Sequence, residues 1–140
     1  MSAKYFLDTN ILVYAHDAAD PEKQQRAQNL IFEGMRETTG VISAQVLNEF
    51  FVTATKKIEQ PLSIPYIRHI LLLLSHLEVV DLDYDMVIRA VGIQQEYRIN
   101  HWDAMILSAA ERAECGILYS EALSHRQKYC GIECINPFID

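Results

Sequence analysis

The chain has 140 residues, half of them hydrophobic and 22% charged, a size and balance that suit one domain with its own core. Its formal net charge of −7 argues against a broad, sequence-indifferent nucleic-acid binder, which carries a basic footprint. The longest greasy stretch, Ile70–Leu74, is far too short to span a bilayer, and no segment reads as a signal peptide, so a cytoplasmic location is expected. Cys115, Cys130 and Cys134 form an odd set without paired C-x-x-C spacing, which points to free thiols. The scattered histidines (16, 69, 76, 101 and 125) show no helical zinc spacing.

In chain order, Tyr5-Phe6-Leu7 reads as a strand buried on both faces, and it stops at Asp8-Thr9-Asn10. Any of those three can cap a helix through Ile11–Ala15. Asp20-Pro21 starts a helix to about Met35. Gly40-Val41-Ile42 is a second strand, and Ser43 caps a helix from Ala44 to about Lys57. After the turn at Glu59–Ser63 an unusually apolar helix runs from Ile64 to Leu77, with more apolar positions than one core-facing stripe requires. Glu78–Asp81 is the third strand. Asp83 or Asp85 caps a helix to about Tyr97, and His101–Ala113 is another, with Gly116 expected as its stop. Ile117-Leu118-Tyr119 is the fourth strand and Ile132–Ile135 a fifth. Strands separated by helices predict an α/β three-layer sandwich with a mostly parallel sheet of four or five strands, in one domain spanning residues 1–140.

Ligands bind beyond the carboxyl ends of such strands, which draws attention to the acids placed there. Asp8 ends the first strand and Glu121 follows the fourth. Glu49 lies beside the apolar stripe of Val46, Leu47, Phe50, Phe51 and Ala54. Asp103 opens a helix apolar enough to be largely buried, where an unpaired carboxylate costs several kcal/mol. Helix capping explains Asp8 or Asp103 singly, and a solvated flank explains Glu49. Gathered in one crevice, however, the acids repel one another unless a divalent cation sits among them, and oxygen-only donors select Mg²⁺ or Mn²⁺. Such ions activate water and polarise a phosphodiester.

Phe6-Leu7-Asp8-Thr9-Asn10, Asn48-Glu49-Phe50, Trp102-Asp103-Ala104 and Leu118-Tyr119-Ser120-Glu121 with Asn136-Pro137-Phe138 together resemble a PIN domain, and more narrowly the VapC-type toxins of bacterial toxin–antitoxin pairs. The resemblance covers nearly the whole chain. It implies an endoribonuclease dependent on Mg²⁺ or Mn²⁺ and restrained by a cognate antitoxin. By motif position Asp8, Glu49 and Asp103 are the metal-binding acids, Thr9 and Asn10 orient ligands and water, and Ser120 supports the far side of the site.

One position departs from that pattern. Relatives of this type read Ser-Glu-Asp-Leu after the fourth strand, whereas this chain reads Ser120-Glu121-Ala122-Leu123. Glu121 is therefore carried as the fourth acid, with reduced activity expected if it does not reach the metal. The competing reading is a module that binds antitoxin or RNA without cutting. A phosphatase of the haloacid dehalogenase type is disfavoured, because Asn10 stands where its second Asp belongs. The apolar Ile64–Leu77 helix is expected to supply a dimer surface or a groove for an antitoxin helix. Among local cations, Arg126 and Lys128 should lie nearest the crevice, with Lys56-Lys57 and His125 as weaker candidates.

Overall fold

The computed structural model describes residues 3–139. In chain order the elements are β1 (Tyr5–Leu7), α1 (Thr9–Ala15), α2 (Pro21–Arg36), β2 (Gly40–Ser43), α3 (Ala44–Lys56) and α4 (Ile64–Leu73), which tightens into a 3-10 turn at Leu74–His76. Then follow β3 (Glu78–Val80), α5 (Tyr84–Tyr97), α6 (His101–Arg112), β4 (Ile117–Tyr119), β5 (Lys128–Tyr129) and β6 (Ile132–Ile135). Helix starts are fixed by short polar side chains. Asp20, Ser43, Ser63, Asp83 and Asn100 each accept the N–H three residues on, satisfying one of the donors a helix start leaves unpaired.

The strands form one six-stranded sheet in the order β3-β2-β1-β4-β6-β5, parallel throughout except for the β5–β6 pair. The sixth strand adds to the four or five expected. It is two residues long and joins β6 through Cys130 and Gly131, both at positive φ (54° and 77°), as a tight primed hairpin turn requires. From β1 the chain moves outward through β2 to β3, then returns to place β4 on the other side of β1. The order therefore reverses between β1 and β4, and the crevice opens there. Phe6, Leu7, Val41, Ile42 and Leu118 are fully buried in the middle of the sheet.

Two expectations are corrected. The α4 helix ends at Leu73 rather than Leu77; the Ser75 hydroxyl donates to the Leu72 carbonyl at 2.6 Å, and the last turn is tighter. Gly116 does not stop α6. Glu114 takes the left-handed position (φ 60°), and Gly116 instead enters β4, its N–H donating to the Lys4 carbonyl at 3.0 Å.

Where α2 crosses β2, Gly34 lies against Gly40. A Cβ on Gly34 would stand 2.9 Å from the Gly40 Cα, and one on Gly40 would stand 2.7 Å from Leu77 Cδ2 and 3.0 Å from the Gly34 Cα. The approach of helix to sheet depends on both lacking side chains. Among the described residues, no helix is long and apolar enough to cross a membrane.

Candidate active site at the carboxyl edge of the sheet

Asp8 occupies the first position after β1, at the point where strand order reverses. Its backbone N–H continues the β1–β4 pairing by donating to the Tyr119 carbonyl at 3.0 Å, and it caps α1. The side chain is 7% exposed. Its Oδ1 accepts the Thr9 N–H at 2.7 Å and its Oδ2 accepts the Ser120 hydroxyl at 2.6 Å. Burial, the largest effect, pushes the pKa from 3.8 up to about 6; the Ser120 and Thr9 hydrogen bonds pull it down, and the charges of Asp103 and Glu49 push it further up. Capping accounts for one of its two oxygens only.

Glu49 reaches the same place from α3. The Thr9 hydroxyl donates to its Oε1 at 2.7 Å, so residues on either side of the crevice are tied through one threonine. Asp103 arrives from the first turn of α6, whose residues 104–110 are all buried. Asn100 grips it twice: its Oδ1 accepts the Asp103 N–H and its Nδ2 donates to Asp103 Oδ2, both at 2.8 Å. Desolvation raises the Asp103 pKa, the Asn100 bond lowers it, and the Glu49 charge raises it.

Asp8, Thr9, Asn10, Glu49 and Asp103 line one open cleft of about 680 Å³. Ser120 stands beneath it, fully buried, donating to Asp8 and accepting the Ala122 N–H at 2.9 Å. Asn10 adds an oxygen of a particular kind: its Oδ1 is buried and has no hydrogen-bond partner among the described residues. A buried acceptor without a donor costs free energy until something supplies one.

The lining fits a hard cation. It holds carboxylate, hydroxyl and amide oxygens and neither His nor Cys. Among the described residues no three His, Cys, Asp or Glu groups are placed to enclose an ion by themselves.

The fourth predicted acid is not brought to the others. Glu121 turns to Lys23 of α2, whose Nζ donates to its Oε2 at 2.8 Å and also reaches the Tyr14 hydroxyl at 3.2 Å. Lys23 sits over the rings of Tyr14 and Phe138, at 4.6 and 5.3 Å, and the Glu121 bond is the main reason its pKa is pushed up to about 12. Ala122, not Glu121, lines the cleft. Arg126 and Lys128 are also absent from the lining, because Lys128 lies on the short edge strand β5. Lys57 is the cation that lines it.

Sequence reasoning missed four contributors. Lys23 acts through Glu121, 98 positions away, and nothing local marks it, whereas Asn100 carried a signal as an Asn directly before a helix and three residues from Asp103. Asn48 lies beside Glu49 without a pattern of its own. Asp17 did carry a signal: Asn10, Val13, Tyr14 and Asp17 recur at helical spacing, and all line the cleft.

The sequence model of the PIN domain matches residues 5–122. No curated protein sequence matches the chain. Solved structures sharing the fold include a toxin–antitoxin complex from Klebsiella pneumoniae, with 22% identity, a TM-score of 0.68, and coverage of 96% of this chain and 98% of that one. The DNA-bound VapBC complex of Salmonella typhimurium is similar at 20% identity and a TM-score of 0.68, covering 95% and 97% respectively. So is the Mycobacterium tuberculosis VapC20, a sarcin-ricin loop cleaving toxin, at 14% identity and a TM-score of 0.67, covering 93% and 99%. With the fold shared over nearly these whole lengths and the sequence matched from the first strand through the cleft-lining Ala122, the chain belongs to the PIN domain family.

Proposed function

We propose that the protein is a cytoplasmic endoribonuclease dependent on Mg²⁺ or Mn²⁺, and the toxin of a toxin–antitoxin pair. The observation that carries this reading is the buried Asp8 carboxylate, held by two donors and sharing its cleft with Glu49 and Asp103. A family resemblance in motif order and the toxin complexes among the structural neighbours support it.

Asp8, Asp103 and Glu49 would share the ion, one or two binding it directly and the rest through its waters, with Asn10 Oδ1 an acceptor for one of those waters. When bound, the ion polarises a phosphodiester oxygen and lowers the pKa of water for in-line attack. The chain's own work is positioning. Ser120 and the Thr9 N–H keep Asp8 in place, the Thr9 hydroxyl holds Glu49, and Asn100 holds Asp103. Such preorganisation avoids rearranging dipoles during reaction.

The antitoxin is assigned to an apolar pocket of about 220 Å³ between the end of α1, α2 and α4, lined by Ile31, Phe32, Met35, Tyr66, Ile70 and Leu73 among others. Phe32 is 60% and Leu73 44% exposed, and Tyr66 and Leu73 bring part of the apolar surplus of α4 there. A segment with an apolar helical face suits such a groove. A homodimer is assigned to a different surface, the exposed apolar stripe of Tyr84, Val87, Ile88 and Val91 along α5.

The test is cleavage of a mixed tRNA and rRNA pool with Mg²⁺, Mn²⁺ or EDTA, beside Asp8→Ala. Discrete metal-dependent products that vanish with Asp8→Ala are expected. Products that persist in EDTA or in Asp8→Ala refute the reading. A second reading, a module that binds without cutting, is favoured by Ala122 in the lining and by the capture of Glu121 by Lys23. Recovery of cleavage only in Ala122→Asp would support it.

A further inference from the structure

We infer that a shallow pocket beside the acidic cleft, formed by Trp102, Leu82, Gln45, Asn48 and Glu49, receives an unpaired nucleobase of the strand whose phosphodiester lies in the cleft. This rests on the nuclease reading above. The pocket encloses about 330 Å³. Gln45, Asn48, Glu49 and Trp102 line both spaces, so a strand crossing one enters the other without leaving the surface.

Trp102 is the chain's single tryptophan and is 65% exposed, although the helix it opens is buried from residue 104 to 110. Its backbone is fixed, with the carbonyl accepting Gln45 Nε2 at 3.2 Å, and the His101 ring meets it edge-on at 5.7 Å. The indole is thus anchored at its base while most of its surface remains open. Leu82, 42% exposed, adds a second apolar wall. Asn48 is exposed and offers a donor and an acceptor together, the combination that reads the edge of a splayed base.

Charge gives the pocket its purpose. Asp8, Asp17, Glu49 and Asp103 line the cleft, with Lys57 as the cation facing them. Apart from a bound metal ion and Lys57 the lining offers phosphates no positive charge, so further hold on a strand falls to the bases. Stacking one base on an aromatic side chain is worth roughly five- to a hundredfold in affinity.

The single tryptophan makes the test direct. An Asp8→Asn protein with Mg²⁺ is titrated with a short oligoadenylate and with an abasic oligonucleotide of equal length, following indole emission and the anisotropy of a labelled strand. Expected are quenching by the oligoadenylate alone, about tenfold weaker binding in Trp102→Ala, near-complete recovery in Trp102→Phe, and a shallow salt dependence. Cleavage by the unmodified protein is assayed in parallel. Equal binding of both strands, with metal-dependent cleavage intact, overturns the base pocket and leaves the nuclease reading standing. Neither binding nor cleavage of any strand removes both. Quenching that tracks protein concentration instead of RNA, with a lower sedimented mass for Trp102→Ala, assigns the indole to a contact between copies and overturns the pocket.

Discussion

Asp8 carries a stability cost that its surroundings do not fully offset. Its folded pKa of about 6 lies above its ordinary value of 3.8, so between these values the folded state binds the proton more strongly. Stability is therefore lost as pH rises through that window. The penalty is absent below about 3.8 and complete above about 6. In metal-free protein, Asp8→Asn should be more stable than the parent by roughly 3 kcal/mol at pH 7, with the gain vanishing towards pH 4. Asn can keep both contacts, its Oδ1 for the Thr9 N–H and its Nδ2 for the Ser120 oxygen. Urea denaturation at several pH values with EDTA checks this, and a pH-independent difference would contradict it. Asp8 was readable in advance because an acid at a strand end meets a known crevice. The fate of Glu121 was not, because it depends on Lys23, 98 positions away, winning its carboxylate.

At the scale of elements, α6 joins folding to chemistry through its N-cap. Asn100 both starts the helix and fixes the Asp103 carboxylate. Two substitutions separate these roles. Asn100→Asp keeps a capping oxygen but replaces a donor with a like charge, so thermal stability should change little while Mn²⁺ affinity falls. Asn100→Ala should lose both, the cap costing about 1 kcal/mol. Calorimetric metal titration beside thermal melts tests the pair, and equal metal affinity in Asn100→Asp and the parent would refute the positioning role. Helix starts were largely readable because Asp20, Ser43, Ser63 and Asp83 announce them chemically. The β5–β6 hairpin was not. Its turn places Cys130 at positive φ, and cysteine gives none of the signal that Asn-Gly provides there. The α6 terminus misled for the converse reason: a glycine stood nearby, but Glu114 took the left-handed position.

At the scale of the molecule, two of the exposed apolar surfaces among the described residues bear on association with other chains. One is the pocket between α2 and α4. The other is a stripe along α5, where Tyr84, Val87, Ile88 and Val91 repeat at helical spacing and are 76%, 40%, 54% and 44% exposed. A patch of this kind on a helix face is suited to self-association. Ile88→Glu should convert a dimer to a monomer in sedimentation while leaving metal affinity unchanged. An unaltered mass would exclude α5 as the interface. The sequence indicated surplus apolar surface on α4; the surplus on α5 stayed hidden because its polar residues, Arg89, Gln94, Gln95 and Glu96, dilute the pattern.

Gly34 and Gly40 bear on the first of these surfaces from behind. They let α2 sit directly against β2, and α2 carries Ile31, Phe32 and Met35 into the pocket proposed for the antitoxin. The spacing of that pocket is thus set in part by two buried residues outside its lining. A methyl group on Gly34 would stand 2.9 Å from the Gly40 backbone, so helix and strand must part, and Ile31, Phe32 and Met35 would move with the helix. Divergence between related pairs need not then proceed by exchanging contacts one at a time. A single hidden change could estrange a protein from its inhibitor, and only a matching shift in the inhibitor would restore the fit.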